Sequence, residues 1–155
     1  MTPALRDELR QRKPFTSLEQ EAFLNIGRTA AVLRDGLEQV LTPQGISLTQ
    51  YNVLRILRGA GPEGLCRNEI RDRLVSRMPD VTRLLDRMEA GGLVTRVRST
   101  EDRRLVTTRL TARGRDLVDS LDGPVAAEHQ RRLGHLSKAQ LRTLVELLTL
   151  VRQPE

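Results

Sequence analysis

The chain has 155 residues, of which 38% are apolar and only 2% aromatic, so any core must be built from Leu, Val, Ile and Ala. That supply suits a helical protein and would be thin for a β-sandwich, which draws on β-branched and aromatic side chains. Cys66 is the one cysteine, which excludes an internal disulfide framework and a cysteine-rich zinc site. No stretch approaches the roughly 20 apolar residues of a membrane span, and the N-terminus lacks a signal-peptide run, so we expect a soluble, cytoplasmic protein.

Positive charge is concentrated in the middle of the chain. The formal net charge is +6, yet the segment from Arg55 to Arg115 alone holds 15 Arg, no Lys and 8 acidic residues, a net charge of +7. The remainder is therefore close to neutral. A basic middle between nearly neutral ends is typical of a protein whose central part binds a polyanion.

The N-terminal third predicts an arm followed by a long helix. Residues 1–15 are polar with two prolines and are expected to fray. Ser17 and Gln20 have the spacing of a capping box, so we predict that a helix starts there and ends near Thr42 to Gly45. Apolar residues recur along it at helical spacing and form one long stripe: Phe23, Ile26, Ala30, Leu33, Leu37 and Val40.

The basic segment predicts three shorter helices. The first starts at Thr49, where Leu48 and Val53 have the spacing of a hydrophobic staple, and the second covers residues 65–74. The third covers residues 79–90, with Pro79 at its first position and one buried face made of Val81, Leu84, Leu85 and Met88. Two short helices joined by a tight turn predict a helix-turn-helix.

A basic β-hairpin is predicted to follow the helix-turn-helix at once. Residues 93–98 and 105–110 are rich in Val, Thr and Arg with a period near two, and they flank a polar tip. Thr111 then caps a helix that bends near Gly123-Pro124, and Ser137 with Gln140 caps the last one. The predicted fold class is mainly α with a small β-hairpin wing, a winged helix-turn-helix with N- and C-terminal dimerisation helices.

The exposed face of the 79–90 helix and the hairpin tip suit DNA. Arg reads guanine bidentately in the major groove, Thr contacts a thymine methyl, and a slim guanidinium enters a narrow minor groove. A solvated polar face is the alternative for the helix, and a solvated charged turn for the tip. The candidate DNA contacts are Arg77, Pro79, Asp80, Thr82, Arg83, Arg87, Arg98, Asp102, Arg103 and Arg104.

The run from Pro79 to Gly114 resembles the MarR family of bacterial transcriptional regulators. It contains VTRLLDRME, a Gly-Leu-Val entry into the wing, a D-x-R tip and L-T-x-x-G. The resemblance implies a homodimer joined through its first and last helices on a pseudo-palindromic operator in double-stranded DNA, with repression as the family default. By motif position, Arg104 is the minor-groove arginine, Asp102 supports it, and Thr82 and Arg83 lie on the recognition helix.

We therefore predict three regions. Residues 1–48 form the arm and a dimerisation helix, 49–110 the DNA-binding winged helix-turn-helix, and 111–155 the C-terminal dimerisation helices. A tip carboxylate has the wrong sign for phosphate, so we expect Asp102 to pair with a neighbouring Arg and set the shape of the tip.

Family members also release DNA when a small, often phenolic, effector binds or when a cysteine is oxidised. Tyr51 is the candidate effector contact, although a core position is the more frequent role for such a tyrosine. Cys66 lies near a helix start, but the hydroperoxide sensors of the family carry their cysteine near the N-terminus, so we expect a structural or incidental thiol here. His129 and His135 are six residues apart and do not share a helix face, so no metal site is predicted.

Two other function classes are alternatives to a DNA-binding regulator. The sequence has no nucleotide-binding loop, no paired-carboxylate motif and no zinc spacing, so we predict no enzyme and no cofactor. A winged-helix module that binds a partner protein is the stronger alternative. It would not need an Arg-bearing wing, and its binding would lack the steep salt dependence of a DNA complex.

Overall fold

The computed structural model describes residues 4–153. Eight α-helices and one small sheet follow one another in this part of the chain. The helices are α1 (Leu5–Glu8), α2 (Leu18–Leu41), α3 (Leu48–Ala60), α4 (Arg67–Arg73), α5 (Val81–Ala90), α6 (Ala112–Ser120), α7 (Asp122–Leu133) and α8 (Lys138–Val151). The strands are β1 (Leu65–Cys66), β2 (Val94–Arg98) and β3 (Val106–Leu110), and a short 3₁₀ turn covers Thr42–Gln44. The predicted fold class, mainly α with a β-hairpin wing, is confirmed.

The N-terminal arm is more ordered than predicted. Residues 5–8 form the short helix α1, whose Leu5 is buried, and Glu8 forms an ion pair with Arg28 of α2. The expectation of a frayed arm was therefore wrong for this part. Ser17 caps α2 as predicted, since its hydroxyl accepts from the backbone N–H of Gln20 at 3.1 Å. The Gln20 side chain accepts from the backbone N–H of Thr16 instead, so the capping box is only half formed.

Two predicted helix starts move in the structure. Helix α3 begins at Leu48 because Ser47 and Gln50 form a full capping box, which replaces the predicted start at Thr49. Helix α5 begins at Val81, since the Asp80 carboxylate caps it by accepting from the backbone N–H of Arg83 at 2.9 Å. Pro79 therefore precedes the cap rather than occupying the first helical position.

The sheet has a third strand that the sequence did not indicate. The predicted helix over residues 65–74 was wrong at its start, because Leu65 and Cys66 form β1 and only Arg67–Arg73 is helical. β1 pairs with β3, with Leu65 opposite Thr108, and β2 pairs with β3 along its whole length, which gives the order β1-β3-β2. β1 has only two residues and lies far from β3 in the sequence, so no periodic pattern in the sequence could indicate their pairing.

The core of the winged helix is aliphatic, as the composition requires. The fully buried residues come from α2 to α6 and the sheet, and they include Leu41, Val53, Leu54, Leu57, Ile70, Leu85, Met88, Val94 and Val118. One face of α5 supplies Val81, Leu84, Leu85 and Met88, as its period predicted. Burial of that face holds α5 against the sheet and leaves the opposite face in solvent.

Gly114 sits where the start of α6 meets the wing. The hydroxyl of Thr111 donates to the carbonyl oxygen of Gly92 at 2.7 Å and accepts from the N–H of Gly114 at 3.0 Å. A Cβ on Gly114 would overlap the Leu93 carbonyl oxygen. The L-T-x-x-G sequence therefore joins the end of the wing to α6 by close backbone approach.

The C-terminal helices differ in how much they bury. The interruption after α6 falls at Leu121, two residues before the predicted bend at Gly123-Pro124. Helix α7 packs on α2 at Gly36, where buried Glu128 binds the guanidinium groups of Arg131 and Arg132 at 2.7 and 2.8 Å. Helix α8 carries the full predicted capping box at Ser137 and Gln140, yet none of its residues is buried in the described chain.

None of the helices in residues 4–153 is long and apolar enough to cross a membrane.

Candidate nucleic-acid interface

Helix α5 presents a basic face to solvent. Thr82, Arg83 and Arg87 are exposed on the side opposite the buried apolar face. The Asp80 carboxylate is engaged at the helix start, where it satisfies a backbone donor and complements the positive end of the helix dipole. The predicted contact residues of α5 thus share one exposed face, with Asp80 as their structural support.

The wing, which we define as β2, β3 and the connecting residues 99–105, ends in a tight turn. The carboxylate of Asp102 accepts from the backbone N–H of Arg104 at 2.9 Å, and the N–H of Leu105 donates to the Asp102 carbonyl oxygen. The hydroxyl of Ser99 accepts from the N–H groups of Glu101 and Asp102. The prediction that Asp102 sets the tip shape is consistent with this geometry.

The partner predicted for Asp102 was wrong, because its carboxylate binds a backbone amide and forms no ion pair with an arginine within residues 4–153. The consequence favours DNA binding. Arg103 and Arg104 are exposed at the tip, and their guanidinium groups form no ion pair with the Asp102 carboxylate.

A guanidinium at the base of the wing ties β2 to α5. Arg96 donates through Nη2 to Asp86 at 2.6 Å and to Glu89 at 3.2 Å, and its Nε donates to Glu89 at 3.2 Å. The backbone N–H of Arg96 also donates to Glu89, at 2.9 Å. The hydrogen bonds that Arg96 donates to Glu89 hold the pKa of Glu89 below its ordinary value, and its hydrogen bonds to the carboxylates of Glu89 and then Asp86 raise the pKa of Arg96.

A groove of about 420 Å³ separates the wing from α4 and α5. We call it the helix–wing groove; its polar lining includes Arg67, Asn68, Thr82, Arg96 and Arg104. Arg67 Nη1 donates to the hydroxyl of Thr82 at 3.2 Å, which joins α4 to α5 across the floor of the groove. Sequence reasoning missed Arg67 and Asn68, because it placed them inside a longer helix rather than at a capped helix start beside the sheet.

Most acidic residues of the basic segment form ion pairs or accept hydrogen bonds from backbone N–H groups within the protein. Glu63 pairs with Arg109 and Asp72 with Arg71, while Glu69 caps α4 by accepting from the N–H of Cys66. Together with Asp80, Asp86, Glu89 and Asp102, seven of the eight acids thus have partners inside the protein. The arginines that have no ion pair within residues 4–153 include Arg77, Arg83, Arg87, Arg98, Arg103 and Arg104.

The structure distributes the predicted contact residues over three places. Thr82, Arg83 and Arg87 lie on α5, and Arg98, Arg103 and Arg104 lie on the wing. Arg77 and Pro79 are exposed in the turn before α5, apart from the helix–wing groove. Helix and wing therefore form two basic projections with a groove between them, which matches alternating major- and minor-groove contacts on one side of a duplex.

Comparisons with known proteins point to one family. The model of the MarR family matches residues 44–105, which include α3, α4, α5 and most of the wing. An HTH-type transcriptional repressor of Mycobacterium tuberculosis is 31% identical over 121 residues, which cover 78% of this chain and 86% of the repressor. A crystal structure of a MarR transcription factor from Planctomyces limnophilus is 42% identical, with a TM-score of 0.68 over 88% of this chain and 99% of that one. The chain belongs to the MarR family.

A DNA complex of a family member has the same fold. The structure of an Escherichia coli MarR mutant bound to operator DNA is 26% identical to this chain, with a TM-score of 0.75 over 89% of this chain and 100% of that one. The MarR fold of this chain is thus the fold of a protein that binds DNA.

A second cavity of this MarR-family chain lies between α2, α3 and α7 and has a volume of about 280 Å³. Tyr51 lines it but is only 5% exposed, so most of its ring belongs to the core, as the sequence reasoning favoured. Arg34, Arg55 and His129 also line it, and Asn52, another lining residue, accepts from the N–H of Val75 in the turn before α5 at 2.9 Å. Cys66 is partly buried beside β3, away from this cavity.

Proposed function

We propose that this chain is a sequence-specific DNA-binding transcriptional regulator of MarR type, a repressor that acts in the cytoplasm as a homodimer on a pseudo-palindromic operator. The observation that carries the proposal is the distribution of charge on α5 and the wing. Their acids other than Glu101 have internal partners, while Arg83, Arg87, Arg98, Arg103 and Arg104 project into solvent without an ion pair in the described chain. A protein-binding winged helix would have no use for that arrangement.

In the proposed complex, α5 lies in the major groove and the wing tip in the adjacent minor groove. Thr82 and Arg83, near the start of α5, contact base edges, and Arg87 contacts phosphate. Arg104, with Arg103 and Arg98 beside it, enters the minor groove or flanks it. Arg77 and Pro79 approach the backbone, while Asp80 and Asp102 shape the helix start and the tip.

The pairing surface is proposed on both ends of the chain. Helix α8 is rich in Leu and Val, but it has no buried residue in the described chain, and Val145 is 64% exposed. Phe23 of α2 is 77% exposed, which is unusual for a residue of this size. A second copy that covers both surfaces would place two α5 helices about 34–36 Å apart, one turn of DNA. Residues 1–48 and 111–155 then serve pairing, and 49–110 binds DNA.

We place the effector in the cavity between α2, α3 and α7. It lies where the proposed pairing helix α2 meets the winged helix, and its wall includes the turn that leads into α5. A small molecule with an apolar body and an anionic group suits its mix of Leu37, Tyr51, Arg34 and Arg55. Binding there would act on the turn before α5, whose Val75 N–H donates to Asn52 in the cavity wall, and through that turn on α5.

The test is selection of DNA fragments from the source genome by the purified protein, with scrambled DNA as competitor and salt varied. Recovery of a palindromic site that survives competition is the expected result. A steep fall in affinity with salt should accompany it, since each neutralised phosphate releases counterions. Binding that ignores sequence would contradict a specific regulator, and absence of DNA binding would favour the protein-interaction module.

A further inference from the structure

We infer that Arg96 is a positioning residue of the DNA interface, which withholds the carboxylates of Asp86 and Glu89 from the DNA and sets α5 against the wing. The inference rests on the proposed DNA-binding function. It goes beyond that function because it gives Arg96 no contact with a phosphate or a base, although Arg96 lines the helix–wing groove together with Arg104, a proposed DNA contact.

The contacts of Arg96 distinguish it from those neighbours. Its guanidinium has two carboxylate partners on α5. The side chain of Arg96 is 26% exposed and that of Asp86 is 53% exposed, so the arginine is the more buried member of this ion pair. Four donor–acceptor contacts on two adjacent carboxylates occupy Nε, Nη2 and the backbone N–H. A guanidinium held on both sides in this way is poorly placed to turn toward a phosphate without leaving two acids unpaired.

The charge on α5 shows what Arg96 changes. The helix bears Arg83 and Arg87 but also Asp86 and Glu89, so its own side chains sum to no net charge. Asp86 lies one turn after Thr82, which lines the helix–wing groove, and the Asp86 side chain is 53% exposed. Without Arg96, a carboxylate would stand within reach of the DNA backbone and oppose the two arginines. With Arg96 in place, the helix meets DNA as a cationic surface.

The attachment also fixes geometry. Asp86 and Glu89 lie on the second half of α5, and Arg96 lies on the first strand of the wing, so the ion pairs join the element proposed for the major groove to the one proposed for the minor groove. The backbone bond from Arg96 to Glu89 adds a contact that does not depend on the guanidinium. The two DNA-binding elements therefore move as one unit.

The experiment is a set of full-length variants whose DNA affinity is measured by fluorescence anisotropy, on the operator or on random duplex at low salt. We expect R96A to weaken binding about tenfold, because interactions between residues in one charge network are of that order. Removal of both carboxylates in the same chain, R96A/D86N/E89Q, should restore most of the affinity. The double variant D86N/E89Q alone should bind more tightly than the wild type.

Arg98→Ala is the matched control, two residues along the same strand. Arg98 is a proposed direct contact, so its replacement by Ala should lower the DNA affinity by the same factor whether or not Asp86 and Glu89 are present. R96K supplies a second variant if R96A is poorly folded by thermal unfolding: it keeps the charge but not the fork between two carboxylates, so its loss should be partial and again reversed by D86N/E89Q.

Three outcomes would overturn the inference: an R96A loss that persists without the carboxylates, R96A binding equal to wild type, or weaker binding by D86N/E89Q. The first would make Arg96 a direct DNA contact, and the third would make Asp86 a base reader. Failure of the proposed function has a different signature, since the wild-type chain itself would then bind no duplex.

Discussion

Arg104 is positioned by the backbone of the tip rather than by a partner for its charge. The Asp102 carboxylate fixes the Arg104 amide, and the guanidinium remains exposed. Arg96, three residues before the tip begins at Ser99, has the opposite arrangement, because its guanidinium is paired with the carboxylates of Asp86 and Glu89. The sequence placed both among the basic residues of the wing, because spacing along a strand does not reveal which arginine has a carboxylate across from it.

Arg104→Ala should weaken operator binding by roughly 1–3 kcal/mol, because it removes a guanidinium proposed for the minor groove. Titrations at several salt concentrations would measure this. Arg115→Ala serves as the control, since Arg115 is exposed on α6, away from the helix–wing groove. Equal losses in the two variants would remove Arg104 from the proposed site.

Cys66→Ser should leave both DNA affinity and its response to peroxide unaltered. Cys66 caps α4 through its backbone, whose N–H donates to Glu69, and serine is a good residue for such a position. The measurement is operator binding before and after peroxide treatment of wild type and variant. A peroxide response present in the wild type and lost in the variant would contradict the incidental role of this thiol.

At the scale of elements, the junction between the wing and α6 is a close approach of two backbone segments. Thr111 bonds to Gly92 and Leu93 across it, and Gly114 leaves room for the Leu93 carbonyl oxygen. The L-T-x-x-G motif that supported the family resemblance therefore has a packing explanation. It orients the wing relative to the C-terminal helices.

Gly114→Ala should lower the free energy of unfolding by about 1–3 kcal/mol, because a Cβ there overlaps a backbone carbonyl that cannot turn aside. Gly59→Ala is the matched control: Gly59 lies in α3, where a Cβ meets nothing within 4 Å. Alanine there should stabilise by about 0.5–1 kcal/mol. Urea unfolding of both variants checks the pair, and equal effects would refute the packing explanation.

The elements that sequence predicted well are those whose signal is local. Apolar spacing located α2, α3, α5 and the last helices, and alternation located β2 and β3. β1 was missed because two residues carry no period and their pairing with Thr107 and Thr108 is set by the tertiary fold. The spacing of Leu48 and Val53 predicted a start of α3 at Thr49, whereas the capping box of Ser47 and Gln50 starts the helix at Leu48.

For the site, the sequence predicted which arginines face solvent on α5 and at the tip. It did not predict the Arg96 ion pairs, the Arg67–Thr82 bond or the two cavities, since each joins residues from separate elements. The buried face of α5 was predictable because its four apolar positions follow one helical period. Contacts across elements depend on how the helices pack and on the register of the sheet, which only the structure supplies.

At the scale of the molecule, α8 is rich in Leu and Val but has no buried residue within the described chain. Replacement of Val145 by Asp should shift the protein from dimer to monomer, because it places a charge on the exposed apolar face proposed for pairing. Sedimentation over a range of concentrations measures the equilibrium. Glu146→Gln, on the next position of α8, should leave it unchanged. A Val145→Asp variant that stays dimeric would place the pairing surface elsewhere.

Acid should destabilise the folded chain through its paired carboxylates. Hydrogen bonds from Arg131 and then Arg132 lower the pKa of Glu128, and a hydrogen bond from Arg58 lowers that of Asp122. A carboxyl whose pKa is lower in the folded state contributes stability that is present above its unfolded pKa and is lost as the pH falls through the folded pKa. The thermal midpoint should therefore hold at neutral pH and fall as the pH drops below about 4.5.

Glu128→Gln provides the control for that acid dependence. The amide cannot titrate, so the variant should start from a lower midpoint at pH 7 and lose less of it between pH 5 and 3 than the wild type does. Parallel curves for the two proteins would show that Glu128 contributes nothing to the acid response.

The central place of β3 in the sheet limits where this protein adapts to DNA. β3 is hydrogen-bonded to β2 on one side and to β1 on the other, and β1 continues directly into α4. The base of the wing is thus anchored on both sides, and only residues 99–105 project beyond the ladder. Only this seven-residue tip is then free to adjust to operators whose minor grooves differ in width. We therefore expect the sequences of relatives with different operators to differ more in the tip than at the base of the wing.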